Sequence, residues 1–545
     1  MKIALANPPW YDEQHPELWG VRAGSRWPHF QKRAAPGELP RYVPFPFFMA
    51  IAAQSLKQEG HEVLLLDGVA ENSLLPEFFQ RLENFHPEVL FLETSTPSLG
   101  WDLAIMHWFK RRFPSAILAA AGTHAASLVP ALLEKEGLPD YWIAGEYEQA
   151  LGLLAAALER KTSPEKVPGL ITRSHAFSSL ARIEDVNRLP APLFEQLPMS
   201  HYGDPVCGLP RPGAQSWISR GCPYGCTFCV WPQVVYGNRR YRQRSIPAAL
   251  DEVRRLIDAY GCESFYFDDD TANIGEARMK ELADSIHQHG LSKYPWSMMA
   301  RADCMTPSMI DALAGAGLYS IKYGVESSSP ELLDACHKGT DLARMRESIR
   351  LTKENGIKIH LTFTFGVPGE TRETIRQTLA FAMETAPDTA QFSICTPFPG
   401  TVFYEDCRKN GWLAGEDWTH YLGTGEAVVS TPQLSAAALQ EGYEEACAAW
   451  NDFSAQRLEV KRDSLLARLK QSVREGRRWR FMGDREFAGF LWESGDPALE
   501  QARTDSTEDH NAALVIVSRH DEEKIWRGLR RQNPSLAQKA LRLFG

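Results

Sequence analysis

The sequence predicts an α/β protein: an N-terminal doubly wound parallel sheet, a partial (β/α)6 barrel, and a mainly helical C-terminal region. Three observations predict it. Short apolar runs alternate with amphipathic stretches through the first part of the chain, the pattern of parallel strands covered on both faces. A stretch rich in Pro and Gly then breaks the rhythm, and a second strand–helix alternation follows. Beyond about residue 405 the pattern turns helical and charged. The expected domains are therefore 1–165 for the first sheet, 166–214 for a linker, 215–405 for the barrel and 406–545 for the helical region.

In the first part, "KIALANPP" leads to the helical "FPFFMAIAAQSLKQEG", and "HEVLLLDG" leads to "LPEFFQRLENF". "EVLFLETST", "AILAAAGTH" and "YWIAGEYE" are the next three strand candidates, each with its own helix. Ligands of such sheets bind beyond the carboxyl ends of the strands. The residues there are Asn7-Pro8-Pro9, Asp67-Gly68, Thr94-Ser95-Thr96, Gly122-Thr123-His124 and Gly145-Glu146. Small and polar at all five exits, they suit a broad, flat ligand that approaches backbone, although α/β loops are commonly small and polar. Tyr11–Tyr42 is too long for a plain connection in a compact sheet and reads as a lid over a cavity.

In the second part the strand candidates are "QSWISR", "ESFYFDDD", "PWSMMAR", "YSIKYGVES", "IKIHLTFTFGVPGE" and "TAQFSICTPFPG", separated by helical stretches. Six such units make a partial parallel barrel whose active face is again the strand C-terminal ends.

Composition narrows the function. The net charge is −10 with both signs interspersed, so no basic block suggests a nucleic-acid groove. No apolar run reaches the roughly 18 residues of a membrane span, and the N-terminus does not read as a secretory signal. A cytoplasmic location is expected. Residues 1–206 contain no cysteine, which does not fit a secreted disulfide scaffold.

Against that background Cys222, Cys226 and Cys229 crowd into one loop after the first barrel strand, among Gly221, Pro223 and Gly225. Three thiolates are too few for a closed zinc site, which takes a fourth Cys or His. A cuboidal iron–sulfur cluster held by three thiolates keeps one iron open for a small molecule. Buried structural cysteines and an opportunistic zinc site are the alternatives.

The spacing Cys-x3-Cys-x2-Cys, with the aromatic Phe228 before the last cysteine, resembles the radical S-adenosylmethionine (SAM) superfamily. The resemblance implies a [4Fe-4S] cluster whose open iron chelates SAM, and one-electron cleavage of SAM to a 5′-deoxyadenosyl radical. It also implies SAM contacts at the later strand ends: Asp268, Asp269 and Asp270 after the second, Arg301 after the third, Glu326 after the fourth, and Thr364 and Gly366 in "FTFGVPGET". A structural ion pair between Arg301 and Glu326 is the competing reading of those two.

An α/β domain ahead of such a barrel resembles the cobalamin-binding class of these enzymes, which includes methylases of unactivated carbon and the anaerobic cyclase of bacteriochlorophyll synthesis. The likeness rests on "NPPW", "LDG", "AGTH" and "GEYE" at the strand exits. It implies cobalamin (B12) contacts from Asn7, Pro8, Pro9, Asp67, Thr94, Ser95, Thr96, Gly122, Thr123, His124, Gly145 and Glu146. The Asp-x-His-x-x-Gly motif is absent, which predicts a cobalt without a lower histidine. The implied activity is C-methylation of a small-molecule substrate of natural-product, lipid or pigment type, fed by an external electron donor such as flavodoxin or ferredoxin. Radical cyclisation or rearrangement, or a first domain that no longer binds cobalamin, are the alternatives. Methylthiotransferases, whose second cluster needs N-terminal cysteines, do not fit.

Overall fold

The structure is a computed structural model. It describes residues 1–12, 14–22, 28–35, 38–175, 179–415, 417–474, 479–482 and 490–493, with side chains described through Arg457. Of the helical region expected over 406–545, residues 416, 475–478, 483–489 and 494–545 lie outside the described residues. Its described part contains helices Val402–Asn410 and Ala436–Arg474. Met1–Ala446 forms one compact unit and Cys447–Gly545 a second.

In chain order the first part contains β1 (Lys2–Asn7), β2 (Leu18–Val21), β3 (His29–Lys32), β4 (Glu62–Asp67), β5 (Val89–Thr94), β6 (Ile117–Gly122), β7 (Tyr141–Ile143) and β8 (Leu170–Ile171). The sheet runs β4-β1-β5-β6-β7-β8, parallel except for the antiparallel edge strand β8. Strand order reverses between β1 and β5, the place where a doubly wound sheet opens a crevice beyond its carboxyl ends. Both faces are covered. Ala4, Ala6, Leu90, Leu92, Leu118 and Ala120 pack with Phe78, Phe109 and Leu133 of the helices on one side. On the other, Phe91 meets Tyr147 of helix Tyr147–Glu159 with ring centroids 4.7 Å apart. That double cover is why these strands read as nearly unbroken apolar runs.

The described parts of Tyr11–Tyr42 form the hairpin β2–β3, which seats itself on the strand exits. Trp19 Nε1 donates to the Val69 carbonyl at 3.3 Å. The fully buried Arg22 pairs with Asp102 and donates to Ser98 Oγ at 2.9 Å.

The second part contains β9 (Gly213–Ser216), the short antiparallel ribbon β10 (Ser219–Arg220) and β11 (Arg242–Gln243), and β12 (Ser264–Phe267), β13 (Trp296–Ala300), β14 (Leu318–Glu326), β15 (Lys358–Phe365) and β16 (Thr389–Ile394). Six strands, in the order β16-β15-β14-β13-β12-β9, are all parallel. Two of its helices start at a side-chain cap. Ser245 and Thr371 cap Ile246–Tyr260 and Arg372–Thr385 by accepting from the third residue on. At the amino ends of the strands, the Val206 carbonyl accepts from Ser320 Oγ at 3.1 Å and Asp204 pairs with Lys322 at 2.5 Å. This turn plugs the foot of the barrel and leaves the carboxyl ends as the open face.

Candidate active site

The cysteine loop leaves β10 at the carboxyl face. Gly221 takes φ +89°, and a Cβ there would lie 2.0 Å from the Arg240 carbonyl oxygen, so only glycine fits. Its N–H donates to Asp270 Oδ2 at 2.8 Å. The three cysteines form no disulfide. Burial pushes the Cys226 and Cys229 thiols up, and each feels its neighbours, Cys222 included. A metal would have to displace their protons. Among the described residues no three His, Cys, Asp or Glu side chains close around the space of one ion; a multi-iron cluster gripped from one side does not require that.

Gln233, which the sequence reading missed, holds this loop in shape. Its Nε2 reaches the carbonyls of Cys226, Thr227 and Cys229 at 3.1, 3.0 and 2.9 Å. Its Oε1 accepts from Val402 N at 2.8 Å. Thr227 N also donates to the Cys336 carbonyl at 2.9 Å. Phe228 packs on the apolar cluster containing Cys336, Val367, Phe398 and Phe403.

The other candidates divide. Asp270 faces the loop, accepting from Gly221 and from Tyr236 OH at 2.9 Å. Asp269 points into the fold, where it accepts from Ile218 N and Ser219 Oγ, and burial raises it to about 7. Asp268 lines the cleft beside Asp270. Arg301 grips Asp303 at 2.8 Å and lies 3.6 Å from the Tyr224 ring centroid. The Arg301–Glu326 pair does not form: Glu326 bonds Lys338 Nζ and Thr364 Oγ1, both at 2.9 Å. Glu326 sits where the β14–β15 register shifts, with φ +67°, a conformation costly for a residue with a Cβ. Burial lowers Lys338 most, but the Glu326 carboxylate and Cys226 together outweigh it and the net shift is upward. Cys226 lies within the electrostatic reach of Lys338, Glu326 and Arg301, which places the cysteine loop and the ends of β13 and β14 at one spot. Gly366, at φ +98°, donates to Glu370 and backs onto Leu439.

At the first sheet, Asp67 accepts from Asn7 at 2.9 Å and from Tyr202 at 2.8 Å, and burial raises it to about 6. Pro9 offers its carbonyl to Trp101 Nε1 at 2.9 Å, while Pro8 lies buried beside it. Thr94 bonds the Ala121 carbonyl, Ser95 bonds Ser98, and Thr123 N reaches the Thr94 carbonyl. Gly122 and Gly145 have no room for a Cβ, which would lie 2.0 Å from the Thr94 oxygen and 2.3 Å from the Ala181 oxygen. Glu146 is taken up by Arg220 and Arg242, at 3.3 and 2.6 Å. At the exits of β1, β5 and β6, Asn7 Oδ1, Thr96 Oγ1 and His124 Nδ1 are buried without a hydrogen-bond partner; elsewhere in the first part Arg22 Nε and Nη2, Trp142 Nε1 and Glu148 Oε2 are likewise unpartnered. Burial lowers His124 to about 4, so its ring is neutral near pH 7. Buried polar atoms are seldom left unpaired, and three at neighbouring exits fit a ligand rich in hydrogen-bonding groups.

Between the two sheets lies a narrow cleft walled chiefly by Phe45, Phe48, Trp217, Trp231 and Tyr236. Asp270 and Arg220, which flank the cysteine loop, reach it.

A doubly wound sheet feeding a six-stranded barrel with a three-cysteine loop at its open face defines a radical SAM enzyme with an additional N-terminal α/β domain. The radical SAM superfamily model matches residues 218–382, a domain that takes a [4Fe-4S] cluster and SAM. The chain is 27% identical over 385 residues to an uncharacterized methyltransferase of Pyrococcus horikoshii, covering 69% of this chain and 81% of that one. It is 26% identical to the anaerobic magnesium-protoporphyrin IX monomethyl ester cyclase of Cereibacter sphaeroides, covering 67% of this chain and 60% of the cyclase. It shares its fold with the radical SAM methyltransferase TsrM of Kitasatospora setae, solved with cobalamin and a [4Fe-4S] cluster bound. That match has a TM-score of 0.56 and 21% identity, covering 75% of each chain. Among the described residues no helix is long and apolar enough to cross a membrane.

Proposed function

We propose that this chain is a cobalamin-dependent radical SAM enzyme that methylates an unactivated carbon of a small, largely apolar molecule of natural-product, lipid or pigment type. The observation that carries the reading is the set of unpartnered buried atoms, Asn7 Oδ1, Thr96 Oγ1 and His124 Nδ1, at three neighbouring exits of the first sheet. In this reading residues 1–165 hold cobalamin at their strand exits, 166–214 join the domains, and 215–405 hold the cluster and SAM.

When bound, the cluster supplies one electron for reductive cleavage of SAM, and cobalamin supplies a carrier for the methyl group. Cys222, Cys226 and Cys229 hold the iron. Asp268 and Asp270 face the amino group of SAM, and Glu326, fixed by Lys338 and Thr364, faces its ribose or amino acid part. Arg301, held by Asp303, and Gly366 shape the same pocket. The aromatic walls of the cleft keep water from the reacting carbon and seat an apolar substrate. The electron comes from an external donor of flavodoxin or ferredoxin type.

The test is anaerobic reconstitution with iron, sulfide and hydroxocobalamin, followed by desalting, metal analysis and a visible spectrum. Near-stoichiometric cobalt beside a four-iron cluster is expected. A cluster with no retained cobalt overturns the cobalamin assignment. The likeness to the cyclase favours a second reading, radical cyclisation without methyl transfer. Reaction with methyl-deuterated SAM separates the two, since only methylation puts the label in the product.

A further inference from the structure

The ribbon that carries the cysteine loop is tied to the first sheet by buried charges. Arg220, two residues before Cys222, donates from Nη1 to Glu148 Oε1 at 2.5 Å and to Glu146 Oε1 at 3.3 Å. Its cross-strand partner Arg242 donates to Glu146 Oε2 at 2.6 Å. The four side chains are 0–9% exposed. Both carboxylates belong to the exit of β7 and the start of helix Tyr147–Glu159. The Arg220 guanidinium is also sandwiched between Phe48 of helix Phe47–Gln58, at 4.3 Å, and Trp217 of the barrel, at 4.7 Å. Glu146 further accepts from Ile183 N at 3.0 Å, so the crossing chain is fastened at the same point.

A buried ion pair is a poor source of net stability, because desolvation offsets most of the attraction. What it does well is fix geometry. A guanidinium whose Nη1 meets two carboxylates and which lies between two rings is held in one place, and Gly221 and Cys222 follow directly from it. The pairs join the sheet whose exits face one ligand to the loop that faces the other.

We propose that Arg220 and Arg242, clamped by Glu146 and Glu148, are positioning residues that set the distance and angle between the iron–sulfur cluster and the ligand face of the first sheet. The inference rests on the two-cofactor reading above. A charge-neutral or single-point clamp would let each domain keep its own cofactor while the two faces drift relative to each other.

The test uses the full-length holoprotein and the variants Glu148→Gln and Arg220→Lys, with Arg242→Lys as a gentler third in case either fails to fold. Iron and cobalt are quantified first. Absence of cobalt in the wild type refutes the two-cofactor reading itself and so is told apart from failure of the clamp. With both metals present, cobalt is reduced to the paramagnetic divalent state and its electron paramagnetic resonance is recorded with the cluster oxidised and reduced. Spin–spin broadening of the cobalt signal by the reduced cluster is expected in the wild type. Loss of that broadening in the variants, at unchanged iron and cobalt content, is the expected result. Wild-type broadening in variants that carry both metals would overturn the proposal.

Discussion

Replacing Gln233 by Leu keeps the side-chain volume and removes every polar contact the amide makes with the cysteine turn. Three carbonyls, of Cys226, Thr227 and Cys229, lie 2.9–3.1 Å from Nε2, and Val402 N lies 2.8 Å from Oε1. The amide nitrogen has two hydrogens, so the three carbonyls share two donors and the total is three hydrogen bonds. At about 1 kcal/mol each, their loss destabilises the iron-binding form of the loop by about 3 kcal/mol, reduced to about 2 where water can reach the freed carbonyls. At 1.4 kcal/mol per decade, that is a roughly 30- to 150-fold weaker hold on iron. The assay is anaerobic reconstitution followed by competition with a ferrous chelator, read from the loss of cluster absorbance. The iron-free variant should keep its far-ultraviolet dichroism, because Gln233 lies in a short helical turn outside both sheets. A variant that holds iron as tightly as the wild type would refute the reasoning, and the cysteine turn would then be shaped by its own backbone.

Two other predictions concern the first sheet. Arg22→Ala leaves the fully buried Asp102 with Ser98 alone, and stability in urea should fall by about 3–5 kcal/mol; the double change Arg22→Met with Asp102→Leu should recover most of it, and a single variant that loses nothing would show that the hairpin is not anchored there. Burial raises Glu93 to about 7, against about 4.3 in an unfolded chain. Its folded state therefore binds the proton more tightly, and the stabilisation is complete below the unfolded value and disappears as pH rises through 7. Glu93→Gln should remove that slope, so the variant gains stability relative to the wild type between pH 5 and pH 8; an unchanged difference across that range would place the proton elsewhere.

The alternation of apolar runs and amphipathic stretches was enough to place all five parallel strands of the first sheet and all six of the barrel. Strand and helix patterns are local, and a strand buried on both faces writes itself as an unbroken apolar run. The cysteine triplet was legible for a similar reason. Its spacing, its glycines and its position after a strand all lie within one short stretch of chain. The antiparallel edge strand β8 was not legible, because two residues carry no period.

What the sequence could not decide was which polar side chains face a ligand and which are used up by the fold. Asp268, Asp269 and Asp270 look alike in a row, yet Asp269 turns inward to Ile218 and Ser219 while Asp270 meets the cysteine loop. Glu146 reads as an exit residue and is a bolt to the barrel. An ion pair between Arg301 and Glu326, the alternative to their SAM contacts, does not form; they take Asp303 and Lys338 instead. Gln233 carries no signal at all, because the amide it accepts from is 169 residues away. Local patterns therefore determined the two sheets, their order along the chain and the three-cysteine loop. Which buried charge meets which was decided only when distant strand ends converged, since a carboxylate in low dielectric takes whichever donor the tertiary fold brings within reach.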